Sequence, residues 1–276
     1  MMPRALVMLR AMPCYRRDSF VIGLREAGYD VFVDEGGTAF NPKPGDCVVT
    51  WNRYGRWQAA ALKFEAAGAN VIVAENGYIG NDADGRQLYA IARTAHCGMG
   101  QWFVGDEDRW SARNIAFKPW RADPDGHALI CPQRGFTAAP YGMPSGWASR
   151  VLGELRKAGI PARVREHPKA KDRHISDADC LDGLMRDLDG ARAAVIWGSS
   201  AGVHALIAGY PVFHDAPRWV ADLAARKFSV TALTDPFLGD RLPAFHRLAW
   251  AQWTVDEIST GVPFRHLLQT KVQAAA

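Results

Sequence analysis

The sequence predicts an α/β protein built as two Rossmann-like domains, and three observations carry that expectation. Short apolar runs alternate with helical patterns from the first residues onward, the rhythm of parallel strands covered by helices on both faces. The alternation restarts after a turn-rich segment at residues 119–126, Pro-Trp-Arg-Ala-Asp-Pro-Asp-Gly, which sets a boundary between residues 1–120 and 121–276. A chain of 276 residues is also long enough for two domains of ordinary size.

In the first half, residues 5–9 read as a strand, 17–27 as a helix stopped by Gly28, and 30–33 as a second strand. A third strand spans 46–51, a helix stopped by Gly68 spans 57–67, and a fourth strand spans 70–74. Ligands of such sheets gather beyond the carboxyl ends of the strands. That edge supplies candidates for binding an acceptor: Arg10, Tyr15 and Arg16 after the first strand, Asn52, Arg53 and Tyr54 after the third, and Asn76 after the fourth. Glu75 directly follows the apolar Val-Ile-Val-Ala strand, where a carboxylate can take a proton from a hydroxyl or cap a turn. Asp34 and Glu35 hold the equivalent place after the second strand but precede Gly36-Gly37, and rank lower. Residues 87–102 read as a fifth strand entering a glycine-rich loop, in which His96 is either structural or a ligand contact. Residues 106–118 read as charged and irregular.

The second half opens with a strand at 127–131 and the loop Pro132-Gln133-Arg134-Gly135, whose guanidinium matches a phosphate. Trp147, Val151 and Leu155 mark the buried face of a helix over 145–158, stopped by Gly159. A strand at 163–165 closes on His167-Pro168, and Lys169, Lys171 and Arg173 form a basic run that is either a solvated loop or a phosphate contact. Residues 180–188 look helical, with Asp177-Ala-Asp179 in a loop before them. An apolar run at 193–197 then breaks at Gly198-Ser199-Ser200, continues at helical spacing through Val203, Leu206 and Ile207, and stops at Gly209 before a short strand, 211–213, that ends at His214. Ser199 and Ser200 either cap that helix or hold an anion at its start. Residues 242–253 read as a helix, and Thr254-Val-Asp-Glu257 as a capping box.

Composition narrows the class. Hydrophobic residues make up 48% and charged residues 22%, as in an ordinary globular protein. No apolar run approaches the roughly 20 residues that span a bilayer, and the amino terminus runs straight into a strand pattern, so neither membrane insertion nor a signal peptide is expected. Five scattered cysteines without a C-x-x-C pair suit reduced thiols and a cytoplasmic location. A net charge of +4 suits an anionic partner but falls short of a dedicated nucleic-acid arm. Of ten tryptophans, Trp51, Trp57, Trp102, Trp120 and Trp219 fall in expected loops, where they pack or stack on a sugar or base.

The run Ser199-Ser200-Ala-Gly202-Val-His204-Ala-Leu206-Ile-Ala-Gly209-Tyr-Pro211-Val212 resembles the helix that holds the sugar donor in GT-B nucleotide-sugar glycosyltransferases, particularly bacterial capsule and surface-polysaccharide transferases. His167-Pro168 after a strand is similar to a second element of those enzymes. The resemblance implies two Rossmann-like domains facing across a cleft, with carboxy-terminal helices packing back toward the first. It implies a nucleotide-sugar co-substrate, a UDP-sugar, held by Arg134, Gly135, His167, Lys169, Trp197, Ser199, Ser200, His204 and His214. His204 stands where the family has an acid that grips the ribose, which leaves the nucleotide open. Glu75 would act as base in an inverting displacement. No metal is expected, Asp177-Ala-Asp179 being the nearest approach to an Asp-x-Asp motif.

In size and general character the chain also resembles the small GT-B enzymes with which bacteriophages glycosylate hydroxymethylated pyrimidines. The leading expectation is therefore transfer to hydroxymethylcytosine in double-stranded DNA, in a host cytoplasm. A surface or capsular glycan acceptor is the alternative within the fold, and a non-catalytic nucleotide- or sugar-binding protein the alternative outside it.

Overall fold

A computed structural model of the chain describes residues 2–34, 39–82, 84–96, 98–106, 108–121, 123–133, 141–171, 174 and 176–269. They divide into two compact units, Met1–Asp106 with Ala249–Ala276, and Glu107–Leu248. The chain runs β1 (Arg4–Val7), α1 (Cys14–Glu26), β2 (Asp30–Val33), β3 (Cys47–Trp51), α2 (Gly55–Ala66), β4 (Asn70–Asn81) and β5 (Gln87–Arg93). It continues through α3 (Asp108–Ser111), β6 (His127–Cys131), α4 (Trp147–Lys157), β7 (Ala162–Val164), α5 (Pro168–Lys171), α6 (Asp177–Leu188), β8 (Ala191–Ile196), α7 (Ser200–Ile207), β9 (Val212–His214), β10 (Arg226–Lys227) and α8 (Leu242–Ala249). It closes with β11 (Gln252–Trp253), α9 (Val255–Ser259) and α10 (Val262–Gln269).

Each unit is a Rossmann-like α/β layer structure, as the alternating pattern predicts. The first sheet has the order β11-β5-β4-β3-β1-β2 and the second β10-β9-β8-β6-β7. In both, the second strand goes to one side of the first and the third to the other, so strand order reverses between β1 and β3 and again between β6 and β8. Those reversals open a crevice at the carboxyl ends, the usual ligand position of open α/β sheets. Four βαβ helices end alike. After α1, α2, α4 and α7 come Gly28, Gly68, Gly159 and Gly209 in the left-handed region. In each case the glycine and the next residue donate back to the last turn, as Gly209 to Leu206 at 3.1 Å and Tyr210 to Ala205 at 2.9 Å.

Several expected boundaries are corrected. The first sheet is mixed, because β5 runs antiparallel to both of its neighbours, β4 and β11, where a parallel sheet was expected. β4 does not stop at Ala74: the parallel ladder with β3 does, but the strand continues through Glu75, Asn76, Gly77 and Tyr78 into a hairpin with β5. Its ladder is irregular between Asn76 and Asn81. There the Gln252 side-chain oxygen accepts from the Tyr78 N–H at 2.8 Å and the Ile79 N–H at 3.3 Å, supplying the acceptor a strand would otherwise give. Residues 242–253 are not one helix, since α8 ends at Ala249 and Gln252–Trp253 pairs with β5. The Asp177–Asp179 stretch lies in the first turn of α6, not in a loop, with Ser176 Oγ accepting from the Asp179 N–H at 3.0 Å. A short helix, α3, interrupts the stretch read as irregular. The capping box at Thr254 and Glu257 is present in full.

Candidate functional site

In the second unit, the carboxyl ends of β7, β6, β8 and β9 lie side by side. β8 is an apolar strand that delivers Trp197 and Gly198 to this edge, and α7 starts at once, capped by Ser199. The Ser199 Oγ accepts from the Ala201 N–H at 3.2 Å. A hydroxyl that accepts in a cap keeps its proton to give to an anionic oxygen, and the positive end of the helix favours that anion. Ser200 is exposed beside it. Gly202 lets the helix lie against the sheet, because a Cβ there would stand 2.6 Å from Ile196 and 2.8 Å from Trp219.

Trp197 is 9% exposed, and its indole Nε1 has no hydrogen-bond acceptor among the described residues. Such a buried orphan donor is costly unless a ligand or water meets it. Its ring stands edge-on to Trp147 at 6.2 Å. Trp147 Nε1 donates to Asp215 Oδ2 at 2.8 Å, and Arg150 also pairs with that carboxylate. This Trp147–Arg150–Asp215 cluster was not singled out from the sequence. Its signal was there, an acid directly after the strand-ending His214, but the indole that meets it comes from a helix face that reads as core.

At the end of β7, Pro168 opens α5, a position that suits a residue without an N–H. The Lys169 N–H donates to His167 Nδ1 at 3.2 Å, which places the ring proton on Nε2. His167 and Lys169 are half-buried, two strand positions away from α7, or about 10 Å. Arg134 and Gly135 fall outside the described residues. His204, in the acidic position of the motif, lies in the second turn of α7, and burial lowers its pKa.

His214 ends β9 and is 3% exposed; burial above all, and then the Lys227 cation, lower its pKa to about 4. His96 in the first unit is also 3% exposed and lowered to about 4, by burial first and the Arg53 cation second. Both are interior imidazoles, neutral at pH 7. An unfolded histidine titrates near 6.5, so between about pH 6.5 and 4 the unfolded chain holds more protons, and stability falls as pH drops through that window. The expected loss is of order 2 kcal/mol for each, read as a falling urea midpoint between pH 7 and 4.5. The His96→Gln, His214→Gln double variant should flatten that slope.

In the first unit, the acceptor-side candidates separate. The Arg53 guanidinium is 1% exposed and bonds Glu65 Oε1 and Oε2 at 2.7 and 3.0 Å, Gln58 Oε1 at 2.7 Å and the Thr94 carbonyl. It is an interior brace, not a surface contact. His96 is interior as well. Arg16 stands over the Trp51 ring at 4.6 Å and donates to the Met12 carbonyl at 2.7 Å. Asn52 takes φ +63°, an uncommon backbone state for a residue with a side chain, directly past β3. Tyr54 packs edge-on to Trp57 at 5.0 Å, Arg10 and Asn76 are exposed, and Tyr15 is in the first turn of α1. Glu75 is half-buried and lies within β4, one residue past the ladder with β3. Its Oε1 accepts from the Tyr78 hydroxyl at 2.7 Å, and that hydroxyl accepts from the Gly98 N–H at 2.9 Å. Trp57, Trp102 and Trp219 are buried, which is the packing outcome for three of the five loop tryptophans.

Among the described residues no group of three or more His, Cys, Asp or Glu is placed to hold a metal ion, and no helix is long and apolar enough to cross a membrane.

Neither a family model nor a curated protein matches the chain. Among solved structures it is similar to the beta Kdo 2,4 transferase KpsC of Thermosulfurimonas dismutans, at 11% identity and a TM-score of 0.48, over 91% of this chain and 90% of that one. The beta Kdo 2,7 transferase KpsC of the same organism matches at 11% identity and a TM-score of 0.44, over 94% and 98%. The aspartate transcarbamoylase of Trypanosoma cruzi matches more weakly, at 12% identity and a TM-score of 0.26, over 90% and 82%.

Proposed function

We propose that the chain is a nucleotide-sugar glycosyltransferase of GT-B type that acts on a hydroxyl of a surface glycan. The observation that carries this reading is the buried Trp197 indole N–H, without an acceptor among the described residues, beside the capped start of α7 at the carboxyl edge of a sheet whose strand order reverses next to it. Helix start, serine hydroxyls and a buried donor together suit a diphosphate, with His167 and Lys169 as further groups on the same edge.

The chemistry follows from charge. As the bond between the anomeric carbon and the diphosphate oxygen breaks, negative charge grows on the leaving group, and groups already oriented toward it stabilise the transition state most. The acceptor oxygen forms the new bond from the opposite face and loses its proton. Glu75, held by Tyr78, is the carboxylate we assign as that base. One C–O bond breaks and one forms at the anomeric carbon, which inverts, while the acceptor's O–H proton passes to the Glu75 carboxylate and the diphosphate leaves as the anion.

The glycan acceptor is favoured over DNA because the serine and His-Pro motifs resemble those of surface-glycan transferases, whereas the likeness to the DNA-base enzymes is one of size and general character without a shared motif. Of the arginines at the first sheet's carboxyl edge, Arg53 is interior and Arg16 covers Trp51. Incubation with a panel of nucleotide sugars, and with anionic oligosaccharides or hydroxymethylcytosine DNA as acceptors, decides by mass. A sugar-sized gain on an oligosaccharide is expected; a gain on DNA alone would overturn the acceptor assignment. Glu75→Gln should lower transfer at least about 100-fold and leave nucleotide affinity unchanged. Binding without turnover on any acceptor would favour a non-catalytic role, which the neutral His204 in place of an acid also suits.

A further inference from the structure

The second unit has a cavity at the edge opposite to α7's start. About 320 Å³ in volume, it is lined by Lys118, Arg121, Arg186 and Tyr210, with Met185 and Ala208 as its apolar wall. These residues lie where α6 and α7 end and β8 and β9 begin, so the length of β8, about 20 Å, separates the cavity from Ser199. The volume falls at the small end of ligand pockets.

Its charge is unbalanced. Three cations face a single carboxylate, Asp189, and none of the four makes an ion pair among the described residues. Cations often sit at helix ends to meet the last carbonyls. Arg186, in the last turn of α6, has that position, but Lys118 and Arg121 do not need their side chains for it. Their backbone N–H groups already bond the carbonyls of Ile207 and Gly209, at 2.9 and 2.7 Å. The Arg121 guanidinium instead donates to the buried Tyr210 hydroxyl at 3.3 Å, which turns the fork toward the cavity lining. Guanidinium forks match phosphate oxygens in pairs.

We propose that this cavity is a second ligand site, for a small sugar phosphate. The excess of two positive charges is balanced by a phosphomonoester, which is close to a dianion at neutral pH. Met185 and Ala208 offer the apolar side that a sugar ring covers and that inorganic phosphate does not, the Tyr210 ring being covered by Arg121. The site is independent of the nucleotide site, and its occupancy would report the supply of phosphorylated sugars to the unit that holds the activated one.

Titration calorimetry with glucose 6-phosphate, glucose and inorganic phosphate tests it, on the wild type, Arg121→Gln/Arg186→Gln and Lys118→Gln/Arg186→Gln, with uridine diphosphate titrated in parallel. Glucose 6-phosphate should bind at least tenfold more tightly than inorganic phosphate and lose at least tenfold in both double variants, while glucose gives no heat and uridine diphosphate is unaffected. The substituted residues are exposed, so folding should persist, and the unchanged nucleotide binding checks it wherever that binding exists; a melting scan does so otherwise. Absence of glucose 6-phosphate binding, equal binding of inorganic phosphate, or full affinity in both variants would each overturn the proposal.

Discussion

Gly209→Ala should destabilise the second unit by about 3 kcal/mol or more, enough to remove most of an ordinary domain's margin. Gly209 has φ +88°, and a Cβ there would stand 2.0 Å from the Pro119 carbonyl oxygen, a backbone atom that cannot swing aside. Left-handed strain alone costs about 1–2 kcal/mol, and the overlap adds the shift of the 118–121 segment that hydrogen-bonds the end of α7. Gly159 is the internal control. It ends α4 with the same motif at φ +71°, and nothing among the described residues lies within 4 Å of its would-be Cβ. Gly159→Ala should therefore cost only about 1 kcal/mol. Urea denaturation of the two variants separates conformational strain from steric overlap; equal losses would mean that the close approach to Pro119 is not a packed contact.

Arg53→Met should destabilise the first unit by about 3 kcal/mol. The guanidinium is interior, while its partner Glu65 is 35% exposed and can turn to water. The cost therefore comes from the acceptors left behind, the Thr94 carbonyl and the Gln58 side chain. Loss of a neighbouring cation should also raise the His96 pKa from about 4 without restoring it, since burial is the larger cause. Urea denaturation and histidine proton NMR measure the two effects. A variant with unchanged stability and reduced acceptor binding would return Arg53 to the role first expected of it.

These cases show which features local sequence carries. Helix stops at Gly28, Gly68, Gly159 and Gly209 were legible because the signal and the structure it makes lie within six residues. The serine cap of α7 and the box at Thr254 were legible for the same reason. What sequence reading missed depends on distant partners. Glu75-Asn76-Gly77 reads as a turn, and becomes strand because β5 pairs with it and Gln252, 174 residues from Tyr78, fills the gap in its ladder. The last two residues of the expected 242–253 helix, Gln252 and Trp253, are claimed by the same β5 edge. Arg53 looks like a binding cation until Glu65 and Thr94 fold around it, since nothing in a local pattern marks an arginine as interior.

On the proposed function, a nucleoside diphosphate lies against the start of α7. Amide hydrogen exchange, followed by mass spectrometry with and without uridine and cytidine diphosphates and their sugars, reads that position directly. Protection is expected to be confined to residues 197–202, with a smaller effect at 167–169, and to be lost in Trp197→Phe/Ser199→Ala, whose missing helix cap lowers the melting temperature by only a few degrees. Protection that arises elsewhere in the chain, or exchange at 197–202 that no nucleotide alters, would contradict it.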